Sequence, residues 1–111
     1  GRFFMIKVKI ERSKLLSLEV NGHAGYDDPG QDLICAAAST LAYTFAQITE
    51  DKTFKMKKTP VIEIEKGRAK IVCEPLYSLR HEIKTCLDTL IVGFKLLEFN
   101  FPEYISVDIV K

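Results

Sequence analysis

Gly22-His23-Ala24-Gly25-Tyr26-Asp27-Asp28-Pro29-Gly30-Gln31-Asp32-Leu33-Ile34-Cys35-Ala36-Ala37-Ala38-Ser39-Thr40 is the stretch on which the reading of this chain turns. It reads as a strand end carrying a histidine, then a mobile loop, then a helix start carrying a cysteine. Gly25, Asp27, Asp28, Pro29 and Gly30 are turn formers, each restricting or freeing φ in its own way. Asp32 has the side chain of an N-cap, whose oxygen accepts from a first-turn N–H. Leu33, Ile34 and Cys35 are then expected as the first three helical residues.

A thiol so placed lies among unpaired N–H groups at the positive end of the helix dipole, which favours the thiolate, the nucleophilic form. The stretch therefore reads as a Cys–His pair, with His23 as general base or imidazolium partner of Cys35. Ser39, four residues on, falls on the same helical face. The N–H groups of Cys35 and Ala36 would serve as an oxyanion hole. Asp32 has two competing roles. As a cap it occupies the Cys35 N–H and its charge opposes ionisation of the thiol; alternatively it orients His23, as the third member of a triad does. The residue types also fit a plainer account, a small buried cysteine and a hydrogen-bonded surface histidine.

Outward from this stretch, Ile6, Val8 and Ile10 alternate with Lys7, Lys9 and Glu11. Leu16, Leu18 and Val20 alternate with Ser17, Glu19 and Asn21 beyond a polar break at Arg12-Ser13-Lys14. Period two predicts a hairpin of half-buried strands whose second member delivers His23. From Leu33 to about Asp51 the spacing of Ile34, Ala37/Ala38, Leu41, Phe45 and Ile48 predicts an amphipathic helix. Val61–Glu65 and Ala69–Glu74 read as a second hairpin around Lys66-Gly67-Arg68. Pro75 then precedes a long helical pattern from Leu76 to about Phe99, with Gly93 inside it, and Tyr104–Val110 reads as a last strand. The order β-β-α-β-β-α-β predicts an α+β fold, a mixed or antiparallel sheet with two long helices packed on it.

The chain has 111 residues, expected as one domain that buries roughly 65% of its unfolded surface. Its formal charge of +1 makes no electrostatic case for nucleic acid, so direct nucleic-acid binding is not expected. No apolar run approaches a membrane span, and no signal-peptide pattern is present. Cys35, Cys73 and Cys86 form no CxxC pair, which reads as reduced thiols in the cytoplasm. Cys73 and Cys86 are expected as buried residues, and His81 as an exposed one that competes with His23 for the role of base. Met5 reads as the natural start, with residues 1–4 a remainder of cloning; the alternative is that Phe3 and Phe4 extend the first strand. The basic run Lys52–Lys58 reads as a solvated edge, or otherwise as a patch for a ribosomal substrate or RNA. His23 and Cys35 supply too few ligands for zinc, and no metal or cofactor is expected.

The motif residues Gly22, His23, Ala24, Gly30, Asp32, Leu33, Ile34, Cys35, Ala36 and Ser39 together resemble the ribosomal-processing cysteine protease family, Prp. That family carries Gly-His-Ala at a strand end, a loop, then Gly-x-Asp-hydrophobic-hydrophobic-Cys-Ala and a Ser four residues after the Cys. The chain departs mildly, with Leu33-Ile34 where Ile-Val is common and Ala38 where a larger apolar residue is frequent. The resemblance implies a bacterial cytosolic endopeptidase that removes a short N-terminal extension from a large-subunit ribosomal protein. It implies a homodimer, a catalytic pair at Cys35 and His23, and supporting roles for Gly22, Gly30, Asp32, Ala36 and Ser39. The alternative class is a non-enzymatic ribosome-associated or RNA-binding α+β module, resting on the lysine run.

Overall fold

Alternation builds the sheet. In Ile6–Arg12 (β1), Ile6, Val8 and Ile10 are buried while Lys7 and Lys9 between them are exposed. Leu16–Asn21 (β2) repeats this with Leu16, Leu18 and Val20 buried, pairing antiparallel to β1. The computed structural model describes residues 5–22 and 29–110, and the side chains of all of these except 29–31. Residues 1–4, expected as a cloning remainder, lie outside that range.

The later elements follow the order read from the sequence: Pro29–Asp51 (α1), Val61–Glu65 (β3), Arg68–Cys73 (β4), Tyr77–Asn100 (α2) and Ile105–Val110 (β5). A short 3-10 turn, Thr53–Lys55, follows α1. The strands form one mixed five-stranded sheet in the order β3-β4-β2-β1-β5. Its pairs are antiparallel except β1 with β5, which is parallel.

Both helices cover one face of this sheet, since Ala69, Ile71 and Cys73 of β4 and Ile105 of β5 are buried on the side of the β1 and β2 isoleucines, valine and leucines. α1 packs over β4 and β2; α2 packs against α1 and β5. α1 contributes Ile34, Ala38, Ala42, Phe45 and Ala46, and α2 contributes Leu79, Ile83, Leu87, Leu90 and Phe94. The periodicities of the sequence thus become two helical stripes on one sheet face. At Gly93 a Cβ would stand 3.1 Å from both Leu41 methyl groups, so the helices approach closely there.

Polar ties fix the frame. Arg12 reaches Asp88 through two contacts, Nε–Oδ1 at 2.6 Å and Nη2–Oδ2 at 3.1 Å, joining β1 to α2. Arg80 donates to the carbonyls of Ser13 and Lys14, holding the β1–β2 turn. The Val107 N–H donates to Glu98 Oε2 at 2.7 Å, joining β5 to the end of α2.

Two expectations are corrected. α1 begins at Pro29, not Leu33, so Pro29 and Gly30 belong to the helix rather than to a turn. Proline suits the first helical position, where its fixed φ is already helical and its missing N–H has no partner to lose. Cys86 is half-buried rather than part of the core, because it flanks the line of Ile83, Leu87 and Leu90.

Candidate active site

α1 presents Cys35, Ser39 and Tyr43 at intervals of four residues, hence as one stripe along its flank. That stripe is one wall of a cleft of about 210 Å³. Ile6, Val20 and Ala69 from the sheet give it an apolar floor, and the β3–β4 turn closes one side. Gly22, at the end of β2, lines the same cleft. The expected proximity of Cys35, Ser39 and the end of the His23-bearing strand is therefore present in the fold.

The β3–β4 turn is pinned to that strand end. The Gly22 N–H donates to the Gly67 carbonyl at 2.9 Å. Gly67 has φ +79°, and a Cβ there would stand 2.7 Å from the Gly22 carbonyl oxygen. A Cβ on Gly22 would meet Ile6 at 2.8 Å. Two backbones pass here with no room for a side chain between them, which gives Gly22 a physical reason in the motif.

The helix start changes the electrostatics of Cys35. With α1 beginning at Pro29, Asp32 lies inside the first turn rather than at the cap. Cys35 and Ala36 lie in the second turn, past the four amides that a helix leaves unpaired. They are thus not the oxyanion donors that a start at Leu33 would make them. Ala36 is exposed, and its carbonyl accepts from Thr40 Oγ1 at 2.9 Å. Cys35 packs half-buried against the core. Burial first, and then the Asp32 carboxylate one turn earlier, push its thiol above the usual range. These two influences work against the expected resting thiolate: the dipole effect fades beyond the first turn, while loss of water and a nearby anion both favour the thiol.

Other sequence-stretch residues fall as follows. His23 and Ala24, with the loop to Asp28, lie outside the described residues, and so does any contact of His23 with Cys35 or Asp32. Gly30 is helical. His81 is exposed on α2, next to the Arg80 that holds Ser13 and Lys14. That is the end of β1 remote from the cleft at Ile6, some 20 Å away along the strand, so His81 is no base for Cys35. Cys73 is buried, as expected. Among the described residues no group of three or more His, Cys, Asp or Glu is placed to hold a metal. Sequence reasoning missed Tyr43 and the β3–β4 turn as parts of the cleft. Tyr43 was findable, being eight residues after Cys35; the turn was not, because it arrives through strand pairing.

Comparison with known proteins decides the family. The sequence pattern of cysteine protease Prp matches residues 5–106, nearly the whole chain. The chain belongs to the cysteine protease Prp family. It is therefore a cysteine protease, and the reading of a non-enzymatic RNA-binding module is set aside by this match. Solved structures show the same fold. SMU.848 from Streptococcus mutans is 25% identical with a TM-score of 0.75, covering 96% of this chain and 94% of its own. The essential ribosomal processing protease Prp of Staphylococcus aureus, crystallised with a substrate peptide, is 22% identical with a TM-score of 0.74, covering 96% of this chain and 100% of its own. The same Staphylococcus aureus protease with a covalently linked product peptide is 21% identical with a TM-score of 0.70, over 96% and 100%. No match is found among the curated proteins compared.

Proposed function

We propose that this Prp-family protease removes a short N-terminal extension from a large-subunit ribosomal protein, with Cys35 as nucleophile and His23 as the proton carrier. One observation carries the assignment of the site: Cys35 and Gly22, the residue before His23, line one cleft with an apolar floor. The Staphylococcus aureus Prp structures, with a substrate peptide and with a covalently linked product peptide, support a peptide substrate of the same origin.

In this reading His23 takes the thiol proton as Cys35 Sγ attacks the scissile carbonyl carbon. The tetrahedral intermediate collapses to a thioester when His23 returns that proton to the leaving amine. Water, deprotonated by the same imidazole, then releases the acyl fragment and restores the thiol. No metal or organic cofactor enters these steps. Asp32 and Ser39 are supporting residues, Asp32 through its charge on the thiol and Ser39 as a polar group in the cleft wall.

The test is cleavage of a peptide spanning the junction between extension and mature protein. Cys35→Ala and His23→Ala should each abolish it while thermal unfolding stays cooperative. Cleavage that persists in Cys35→Ala ends the assignment.

We further propose that the protease works in the cytoplasm, where unpaired thiols stay reduced, and as a homodimer. No helix among the described residues is long and apolar enough to cross a membrane. The dimer is supported by an exposed apolar stripe on α2, Val92, Leu96 and Phe99, with Phe99 82% accessible. Sedimentation should give twice the chain mass for the parent and a monomer for Phe99→Glu; a monomeric parent refutes it.

A further inference from the structure

The net charge of +1 is a sum over the whole chain, and it conceals an uneven distribution. Lys52, Lys55, Lys57 and Lys58 follow α1 with no acidic residue among them. Three carboxylates are near them in the fold. Glu50 is exposed on the last turn of α1. Asp51 accepts from Gln47 Nε2 at 2.8 Å, one turn back along the helix. Glu74 is buried and faces Lys57 Nζ at 3.4 Å. Among the described residues Lys52, Lys55 and Lys58 have no ion-pair partner. Positive charge is therefore in excess at this end of the molecule.

The lysines stand on a firm base. Met56 and Pro75 form an antiparallel bridge, both buried. The Lys57 N–H donates to the Glu74 carbonyl at 2.8 Å, and the Leu76 N–H to the Lys55 carbonyl at 2.9 Å. One residue beyond that second bond, on each segment, come Phe54 and Tyr77, 71% and 92% exposed. A lone exposed aromatic is ordinary; two flanking one bridge among lysines make a patch. Leu15 and Lys58 line one small cavity, which puts the exposed Lys14 at the same end of the sheet. The Cys35 cleft is at the other end. It takes Val20, Gly22 and Ala69, whereas Leu16 and Cys73 pair at the end near the lysines. Asp51 lies about 24 Å beyond Cys35 along the axis of α1.

We propose that this patch binds single-stranded RNA, with Lys52, Lys55 and Lys58 on phosphates and Phe54 and Tyr77 stacked on bases. Charge complementarity selects a polyanion. The exposed rings select one whose base faces are free, which a duplex keeps stacked inside. An acidic polypeptide would satisfy the lysines and leave the rings without such faces. The expectation of no direct nucleic-acid contact followed from net charge, which does not see a local excess. The choice of RNA over DNA rests on the proposed ribosomal substrate, a protein met beside RNA. The two ends of the molecule then divide the work: one cuts the peptide and the other holds the RNA.

The experiment uses the full chain and the fluorescence anisotropy of a labelled RNA of about twelve nucleotides. The same sequence as DNA, the RNA duplex and polyglutamate serve as competitors. Three neutralised phosphates should weaken RNA binding about twentyfold between about 50 and 200 mM salt. Lys55→Gln combined with Lys58→Gln should weaken it and reduce that salt dependence by more than half. Phe54→Ala and Tyr77→Ala should each weaken it about tenfold and leave the salt dependence unchanged. Cleavage of the junction peptide should be the same in all these variants, since the patch is remote from Cys35. No RNA binding at about 50 mM salt, or affinity untouched in both ring variants, overturns the proposal. Polyglutamate that competes as well as RNA overturns it in favour of an acidic protein partner, and DNA that competes better than RNA overturns the choice of RNA. A parent that binds RNA but leaves the junction peptide uncut refutes the proposed function and not the patch.

Discussion

Gly67→Ala should be among the costliest single-methyl additions to this protein, and the cost can be worked from two terms. At φ +79° an alanine is held in the left-handed region, which costs an L-residue about 1–2 kcal/mol. Its Cβ would stand 2.7 Å from the Gly22 carbonyl oxygen, a backbone atom with no rotamer to yield. Relieving that contact separates the turn from β2 and weakens the Gly22 N–H to Gly67 carbonyl bond, worth about 1 kcal/mol. The sum is about 2–3 kcal/mol, or a fall in melting temperature of roughly 10 °C for a domain of this size. Urea unfolding followed by circular dichroism measures it, and Gly67→Asn separates the terms. Asparagine tolerates left-handed φ but brings the same Cβ, so it should recover only the strain and stay about 1 kcal/mol below the parent. A Gly67→Asn protein as stable as the parent refutes the clash. A Gly67→Ala protein within about 0.5 kcal/mol of the parent refutes the whole account. On the proposed role of His23, Gly67→Ala should also lose kcat by about tenfold or more at temperatures where it is fully folded, since His23 follows Gly22 directly.

Three other perturbations follow from single contacts. Asp32→Asn removes the anion that holds the proton on Cys35, so iodoacetamide labelling of Cys35 should shift to lower pH; an unmoved profile would show that burial alone sets the thiol. Cys73 is pushed up to about 11 by burial, so its folded value lies above its unfolded one. Its contribution is complete below the unfolded thiol value and is lost as pH rises from there through about 11, on the order of 2 kcal/mol. Cys73→Ala should flatten that alkaline decline in urea midpoints even though it lowers stability near neutrality; a parallel decline in both proteins would refute it. Glu98 is held below the usual carboxylate range first by the Val107 N–H. The stability it adds is present above the unfolded glutamate value and lost as pH falls, so Glu98→Gln should reduce the difference in melting temperature between about pH 7 and pH 3.

The elements were legible because their signals are local. Ile6, Val8 and Ile10 announce a strand through period two, and Leu79, Ile83, Leu87, Leu90 and Phe94 announce a helix through a stripe, each within one continuous segment. The sheet order was not, because β5 beside β1 and β4 beside β2 are pairings across long stretches of chain that no local pattern encodes. The helix start was misread at Pro29 for a related reason: a proline followed by glycine serves equally as a turn or as the first helical turn, and the choice depends on what the helix packs against. The motif placed Cys35 and Ser39 on one flank correctly. The state of the thiol was not readable, since burial by the core is a tertiary effect and the four-residue shift of the helix start exchanges dipole stabilisation for the charge of Asp32.

That exchange has a kinetic consequence that separates two forms of Cys–His catalysis. In a preformed thiolate–imidazolium pair the thiol has already lost its proton at low pH, and activity rises at about pH 4 as that pair forms. In this cleft burial and Asp32 both oppose a resting thiolate, and the helix dipole is a turn away. On the proposed assignment the thiol then keeps its proton in the resting cleft and passes it to His23 during attack. The acid limb of kcat/KM must in that case lie above the range of a preformed pair, since no thiolate waits for substrate. Asp32→Asn should leave this limb nearly in place, since its effect falls on the thiol, and should move the labelling profile instead. A limb that sits below about pH 5 in the parent would mean that an ion pair exists before substrate arrives, and that His23 outweighs both burial and Asp32 in the free enzyme.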